Sequence, residues 1–237
     1  MICLTGDTHG RFDRIAPAVR QYGLGGEDTL IILGDAGFNY DGNLLGDAEK
    51  KAAVNGLGVT VLCIHGNHEM RPATLGTYRE KQWKGGTVWY EPEWPNLLFA
   101  KDGEVYDIEG RRFLVLGGAY SVDWLYRFMR NPYDPKWWKD EQPDEVIKDH
   151  AARTLERVGW RVDVVLSHTC PEKYAPVEAY LPGLDQSRVD RSTEEWLDGI
   201  EGRLDYRLWY CGHWHIEKSV DRLRFLYRSV QPLEKMD

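Results

Sequence analysis

The chain has 237 residues, of which 42% are hydrophobic and 29% are charged, so its composition is globular and argues against wholesale disorder. Its length suits one medium domain or two small ones. Its net charge of −8 disfavours a role as a non-specific binder of duplex DNA, because such binding depends on basic side chains that neutralise phosphates.

The chain carries no run of about 18 apolar residues that would predict a membrane span. Its first residues, Met1–Asp7, read as a short strand that enters a polar turn, not as a signal peptide, and we therefore expect a cytoplasmic protein. The four cysteines are far apart in the sequence and form no CxxC pair, which predicts buried free thiols.

The first third of the chain alternates predicted strands and helices. The predicted elements are, in order, a strand at Met1–Thr5, a helix at Phe12–Tyr22, a strand at Thr29–Leu33, a helix at Asn43–Asn55 and a strand at Val59–His65. Strands and helices at this spacing predict right-handed crossovers and a buried parallel sheet.

The remainder is richer in strands. Residues 86–117 read as meandering strands, with a hairpin between Val105–Ile108 and Arg112–Leu116. A helix at Pro143–Val158, a strand at Val162–Ser167 and a helix at Ser192–Ile200 follow, the last with Ser192 and Glu195 as a capping box. Strands at Arg207–Cys211, Ile216–Val220 and Arg224–Arg228 complete the pattern. The whole predicts an α/β fold, most simply two sheets packed face to face with helices outside.

Polar residues that can bind metals cluster directly after five of these strands. The clusters are Gly6-Asp7-Thr8-His9-Gly10, Gly34-Asp35, Gly66-Asn67-His68-Glu69, Ser167-His168 and Gly212-His213-Trp214-His215, and they hold five of the seven histidines. Because ligands gather at the carboxyl ends of parallel strands, we expect the five loops to converge on one crevice.

Carboxylate, imidazole and amide ligands together suit Mn²⁺, Fe²⁺, Zn²⁺ or Co²⁺ better than Ca²⁺. Two such ions about 3.5–4 Å apart can stabilise both the attacking and the leaving oxygen of a phosphoryl transfer. One carboxylate has to bridge them, and Asp35 is the natural candidate.

The ordered set GDTHG, GD, GNHE, SH and GHWH, which spans residues 6–215, resembles the calcineurin-like metallophosphoesterase superfamily. The resemblance implies an αββα four-layer sandwich of two packed mixed β-sheets flanked by helices, and a dinuclear site. It implies that one metal is bound by Asp7, His9 and His215, that the other is bound by Asn67, His168 and His213, that Asp35 bridges, and that His68 is the general acid.

The sequence departs from the phosphoprotein-phosphatase branch of that superfamily. Phe38 stands where the branch has the aspartate partner of its catalytic histidine, and Asn39 stands where it has a phosphate-binding arginine. A divergent bacterial-type member is therefore the preferred interpretation. A phosphoprotein phosphatase and a non-catalytic, partner-binding scaffold on the same fold are the alternatives.

The expected reaction is hydrolysis of a phosphate mono- or diester by metal-activated hydroxide, with two divalent ions, manganese first and iron, zinc, cobalt or nickel as alternatives. The expected partner is a small phosphorylated substrate, with neither stable nucleic-acid binding nor membrane binding. The sequence leaves the oligomeric state open.

We treat residues 1–237 as one domain with a cap insertion at about 118–143, whose aromatic residues favour a nucleotide-like substrate. Candidate substrate contacts are Arg71, Asp123 and Arg127.

Overall fold

The structure is a computed structural model that describes residues 1–42 and 44–236. The strands of the described residues are β1 (Ile2–Thr5), β2 (Thr29–Ile32), β3 (Thr60–Cys63), β4 (Arg79–Trp83), β5 (Gly86–Tyr90), β6 (Leu97–Ala100), β7 (Val105–Ile108), β8 (Arg111–Leu116), β9 (Val164–Ser167), β10 (Leu208–Cys211), β11 (Lys218–Val220), β12 (Leu223–Phe225) and β13 (Val230–Pro232). The α-helices are α1 (Ile15–Tyr22), α2 (Leu44–Asn55), α3 (Trp124–Arg130), α4 (Glu145–Arg157) and α5 (Ser192–Glu201).

The strands form two mixed sheets, as expected. One has seven strands in the order β13-β1-β2-β3-β6-β5-β4, and the other has six in the order β11-β12-β10-β9-β8-β7. The centre of the first sheet consists of four parallel strands in the order β1-β2-β3-β6. The second sheet likewise contains four parallel strands in the order β8-β9-β10-β12.

The two sheets pack face to face over one buried apolar layer. Leu4, Ile31 and Leu62 of the first sheet share that layer with Phe113 and Val164 of the second. A second core joins the outer face of the seven-stranded sheet to α1 and α2, and a third joins the outer face of the six-stranded sheet to α4 and α5. The predicted four-layer αββα sandwich is confirmed, because apolar side chains on both faces of each sheet are buried.

Several local predictions are also confirmed. The hairpin between β7 and β8 turns at Glu109 and Gly110, both with positive φ, as a tight two-residue turn requires. The four cysteines are buried and free. No helix in the described ranges is long and apolar enough to cross a membrane.

Other predictions differ from the structure. The predicted capping box is wrong: Ser192 is already inside α5, and its hydroxyl donates to Gln142 Oε1 instead of capping the helix. α1 begins at Ile15 rather than Phe12, and the predicted first residue of the second helix, Asn43, lies outside the described residues. The stretch at 118–143, which was not expected to be helical, contains α3.

Candidate metal centre

The five loops that follow β1, β2, β3, β9 and β10 meet at the carboxyl edges of the two sheets. Three glycines allow the close approach. A Cβ atom on Gly34 would lie 2.0 Å from His168 Nδ1, one on Gly66 would lie 2.0 Å from Asp35 Oδ1, and one on Gly212 would lie 2.3 Å from Asp7 Oδ1. The predicted convergence on one crevice is therefore observed. It depends on these three glycines, because any larger residue would collide with a side chain of the site.

One group of predicted ligands comprises Asp7, His9 and His215. His215 Nε2 lies 3.0 Å from Asp7 Oδ2 and 2.9 Å from His9 Nε2, and His9 Nε2 lies 3.7 Å from Asp7 Oδ2. Burial alone would raise the pKa of Asp7, but the hydrogen bond from His215 and the neighbouring imidazoles hold it below its usual value. The same hydrogen bond raises the pKa of His215.

The other group comprises Asn67, His168 and His213. Asn67 Oδ1 lies 2.9 Å from His168 Nε2 and 3.1 Å from His213 Nδ1. Asn67 is oriented by Ser121, whose Oγ accepts a hydrogen bond from Asn67 Nδ2 at 2.9 Å. Ser121 follows the end of β8 and was missed in the sequence, although it obeys the same strand-end pattern as the predicted ligands.

Asp35 lies between the two groups. Its Oδ2 is 3.9 Å from His9 Nδ1, and its Oδ1 is 3.6 Å from His168 Nε2. Asp35 Oδ1 also accepts a hydrogen bond from the backbone N–H of His68 at 2.8 Å. Asp35 therefore contacts one histidine of each group.

The donor atoms fit a pair of divalent cations. His168 Nδ1 donates to the carbonyl of Leu33 at 2.8 Å, which leaves Nε2 facing Asn67 Oδ1. Burial lowers the pKa of His213 to about 3, so the imidazole of His213 is neutral at physiological pH. Acceptor atoms this close together call for a proton or a cation between them, and the mixture of carboxylate, imidazole and amide oxygen suits a transition metal.

Four of the seven predicted ligands have strained backbones. The φ angles of His9, Asp35, His213 and His215 are 48°, 47°, 63° and 53°, in the left-handed region that side chains other than glycine rarely adopt. Each such residue costs on the order of 1–3 kcal/mol, and strain of this kind concentrates at functional sites. The packing of the two sheets maintains it here.

His68 lies beside both groups and contacts an arginine. Its ring nitrogens lie close to Nη2 of Arg127, with the Nε2 contact at 2.9 Å. Arg127 is held on α3 by Asp123, whose Oδ2 accepts from Nε at 2.7 Å, and by the carbonyl of Lys136. Burial lowers the pKa of His68, and the charge of Arg127 adds to that effect.

Arg71 is engaged elsewhere. Its Nη1 donates to Asp102 Oδ2 at 2.5 Å and its Nε donates to the carbonyl of Asp140 at 2.6 Å. Arg71 therefore joins the loop after β3 to two other segments, and its role as a substrate contact stays a prediction.

Glu69 completes the loop after β3. Its carboxylate accepts from the backbone N–H groups of Ala36, Gly37 and Gly66. Burial raises its pKa to about 8. Glu69 thus links the loop after β2 to the loop after β3.

A protein-family model described as calcineurin-like phosphoesterase matches residues 1–217. The chain belongs to this family. Membership supports metal-dependent hydrolysis of phosphate esters as the general activity of the chain, with divalent metals as cofactors and a small phosphorylated molecule as substrate.

Two solved structures resemble this family member at low sequence identity. One is 12% identical, with a TM-score of 0.50, and the match covers 95% of this chain and 88% of the other. The second is TT1561 of Thermus thermophilus, which is 13% identical with a TM-score of 0.45. That match covers 90% of this chain and 80% of TT1561. The first likeness supports the fold alone. No curated protein sequence matched the chain.

Proposed function

We propose that the chain is a dinuclear metal-dependent phosphoesterase that hydrolyses a phosphate mono- or diester. The observation that carries the proposal is the pair of ligand groups with Asp35 between them. In this proposal Asp7, His9 and His215 bind one ion, Asn67, His168 and His213 bind the other, and Asp35 binds both. We propose manganese as the first metal to test.

When bound, two divalent ions would supply Lewis acidity for the phosphoryl oxygens and would lower the pKa of water, which attacks phosphorus. His68 donates a proton to the ester oxygen as its bond to phosphorus breaks, so that an alcohol leaves. Arg127 neutralises charge on a non-bridging oxygen, since its guanidinium already lies beside His68. Asp123 positions Arg127. One water is consumed for each ester bond that is cleaved.

A phosphoprotein phosphatase is a weaker candidate. Phe38 is buried and stacks on Phe12 at 4.5 Å between ring centroids, while Asn39 Oδ1 accepts from the hydroxyl of Tyr78. Both side chains therefore contact the core, and neither supplies the aspartate or arginine of that branch. A non-catalytic scaffold is disfavoured because His68 and all seven predicted ligands are present together at the site.

The proposal is tested by loading the purified chain with Mn²⁺, counting metal ions per chain, and measuring turnover of p-nitrophenyl phosphate and of bis(p-nitrophenyl) phosphate. We expect two ions per chain and hydrolysis of at least one ester, with both lost in Asp35→Asn. The exposed Asp149→Asn is the matched control. Two bound ions without turnover of either ester, for every divalent metal tried, would favour the scaffold.

A further inference from the structure

A cavity of about 390 Å³ opens directly from the metal centre. Asp35, Asn67, His68 and His213 line its inner end, and the segment at residues 172–191 forms its far wall. The volume lies in the range of small-molecule sites, about 300–1,000 Å³. Because the inner end is the proposed reaction site, the part of a bound ester that fills the cavity is the group attached to the reacting phosphate.

The walls of the cavity are predominantly apolar. Apolar lining residues from three separate parts of the chain are Val122, Ala179, Tyr180, Leu184, Val189 and Trp214. Tyr180 and Trp214 stack on each other, with ring centroids 5.7 Å apart and planes inclined by 30°. Binding of an apolar or aromatic group to such a surface is favourable, because it removes apolar area from water.

The charged residues of the cavity are mostly acidic. Asp123, Glu172 and Asp190 line it, and Arg191 is the one arginine or lysine among the lining residues that the structure describes. That arginine is already engaged: its Nη1 lies 3.6 Å from Glu172 Oε1, and its Nη2 donates to Gln186 Oε1. Asp123 and Glu172 are paired with Arg127 and Arg191, so Asp190 leaves the lining with an excess of negative charge. A second anionic group on the ligand would meet that charge without a free cation among the lining residues.

Glu194 supplies a buried polar group at the same cavity. It is only 6% exposed, its Oε1 accepts from the hydroxyl of Thr169 at 2.7 Å, and its Oε2 has no hydrogen-bond partner in the structure. Burial raises the pKa of this carboxyl, which favours the neutral form that can donate a hydrogen bond. Because Glu194 is buried in this wall, it adds little exposed negative charge to the cavity.

From these observations we infer that the cavity binds the organic group of the ester, and that this group is aromatic, uncharged and without any phosphate beyond the one at the metal centre. The inference rests on the proposed function for the place of the phosphate. It assigns selectivity to the wall at 172–191 and Trp214, with Tyr120 at the start of the predicted cap, and not to the tryptophans of that cap. Trp124 and Trp137 of that cap pack on each other, and Trp138 packs on Tyr40.

The test measures binding and turnover separately on the Mn²⁺-loaded full chain. Calorimetric titration compares phenylphosphonate with methylphosphonate, which share the phosphorus group and are not hydrolysed. We expect phenylphosphonate to bind about tenfold more tightly, from burial and aromatic contact. Tyr180→Ala and Leu184→Ala should each remove most of that preference. Tyr133→Ala, a tyrosine that is 99% exposed, is the matched control and should retain it.

A third probe, 4-carboxyphenylphosphonate, tests the charge of the organic group. We expect it to bind more weakly than phenylphosphonate, because its carboxylate would face the acidic lining. Equal or tighter binding would overturn the requirement for an uncharged group. Equal affinity for the phenyl and methyl compounds, or a preference that survives in both cavity variants, would overturn the aromatic assignment.

Turnover of phenyl phosphate and methyl phosphate completes the test. A phenyl preference in kcat/KM that Tyr180→Ala abolishes through KM supports both proposals. A phenyl preference in binding, without hydrolysis of these monoesters or of bis(p-nitrophenyl) phosphate by any metal form, would contradict the proposed function while supporting the assignment of the cavity. Hydrolysis of both esters with equal kcat/KM would support the proposed function and overturn the inference.

Discussion

At the scale of single residues, His68 is the side chain through which the proposed chemistry is most directly tested. It is placed by its backbone N–H, which donates to Asp35, and by its contact with Arg127. We expect His68→Ala to keep both metal ions and to lose about 10²–10⁴-fold in kcat, the usual contribution of a general acid. Metal analysis and steady-state kinetics on the same preparation check this.

The matched control is His150→Ala. His150 lies outside the site and contacts Glu104, so its removal should leave kcat unchanged. Near-full activity of a His68→Ala variant that still holds both ions would show that His68 is not the acid.

Ser121 acts on the site through Asn67. Its Oγ accepts from Asn67 Nδ2, and its own backbone N–H donates to the buried Glu141. Ser121 thereby directs the amide oxygen of Asn67, and not its nitrogen, towards the histidines. We expect Ser121→Ala to weaken metal affinity roughly 10–100-fold, as loss of an orienting partner typically does. Metal titration against a chelator measures this, with the exposed Ser219→Ala as control. Unchanged affinity would mean that Asn67 is held without it.

Glu194 makes a prediction about pH. Burial raises its pKa in the folded chain above the ordinary value of 4.5, so the folded state holds this proton more tightly than the unfolded state does. Stability from this proton is present below about pH 4.5 and is lost as pH rises towards the folded pKa. We therefore expect Glu194→Gln to unfold at higher denaturant concentration than the wild type at about pH 7.5, with the difference vanishing at about pH 4.

The exposed neighbour provides the comparison for this pH effect. Glu195→Gln should leave stability nearly unchanged at both pH values. A gain from Glu194→Gln of equal size at both pH values would contradict an ionisation-linked cost.

At the scale of elements, α3 positions Arg127 over the site. Asp123 and the Lys136 carbonyl fix the guanidinium from two sides. We expect Arg127→Ala to raise KM for a phosphate ester roughly ten- to hundredfold, the range for losing hydrogen bonds between charged groups. Arg130→Ala, on the same helix and exposed, should leave KM unchanged. An equal change in the two variants would point to loss of α3 rather than of a phosphate contact.

The sequence predicted the strands that carry the terminal motifs because short apolar runs followed by Gly-Asp or Gly-Asn are local signals. It did not predict the edge strands β4 and β13, the helix α3 or the wall at 172–191. The helix Trp124–Arg130 is only seven residues long and has no fully buried residue, so its apolar pattern is too short to distinguish a helix from an aromatic loop. The wall contains only short 3₁₀ turns, and Tyr180 reaches the cavity by packing on Trp214, about 34 residues further along the chain. Likewise Ser192 was read as a cap because the pattern contains nothing about its partner, Gln142.

At the scale of the whole molecule, the metal centre lies where the two sheets meet. Asp7 and Asp35 are almost fully buried within one cluster of imidazoles, and each contacts the loop of another strand through a backbone N–H donor. Buried carboxylates without a cation are costly, and four ligand residues also carry left-handed backbones. Two bound divalent ions would offset the free-energy cost of the buried carboxylates and of the strained backbone. We therefore expect metal binding to be coupled to the folding of both sheets.

This coupling gives the last prediction. A ligand that binds only the folded chain at about 100 times its Kd stabilises it by about 2.7 kcal/mol, which for a chain of this size raises Tm by roughly 5–10 °C. We expect removal of metal with a chelator to lower Tm by that amount, and Mn²⁺ to restore it. Asp35→Asn should abolish the response to Mn²⁺, whereas Asp149→Asn, an exposed aspartate, should keep it. A Tm that is independent of Mn²⁺ in the unaltered chain would contradict the coupling. Differential scanning calorimetry of the three proteins, each with and without Mn²⁺, decides between the outcomes.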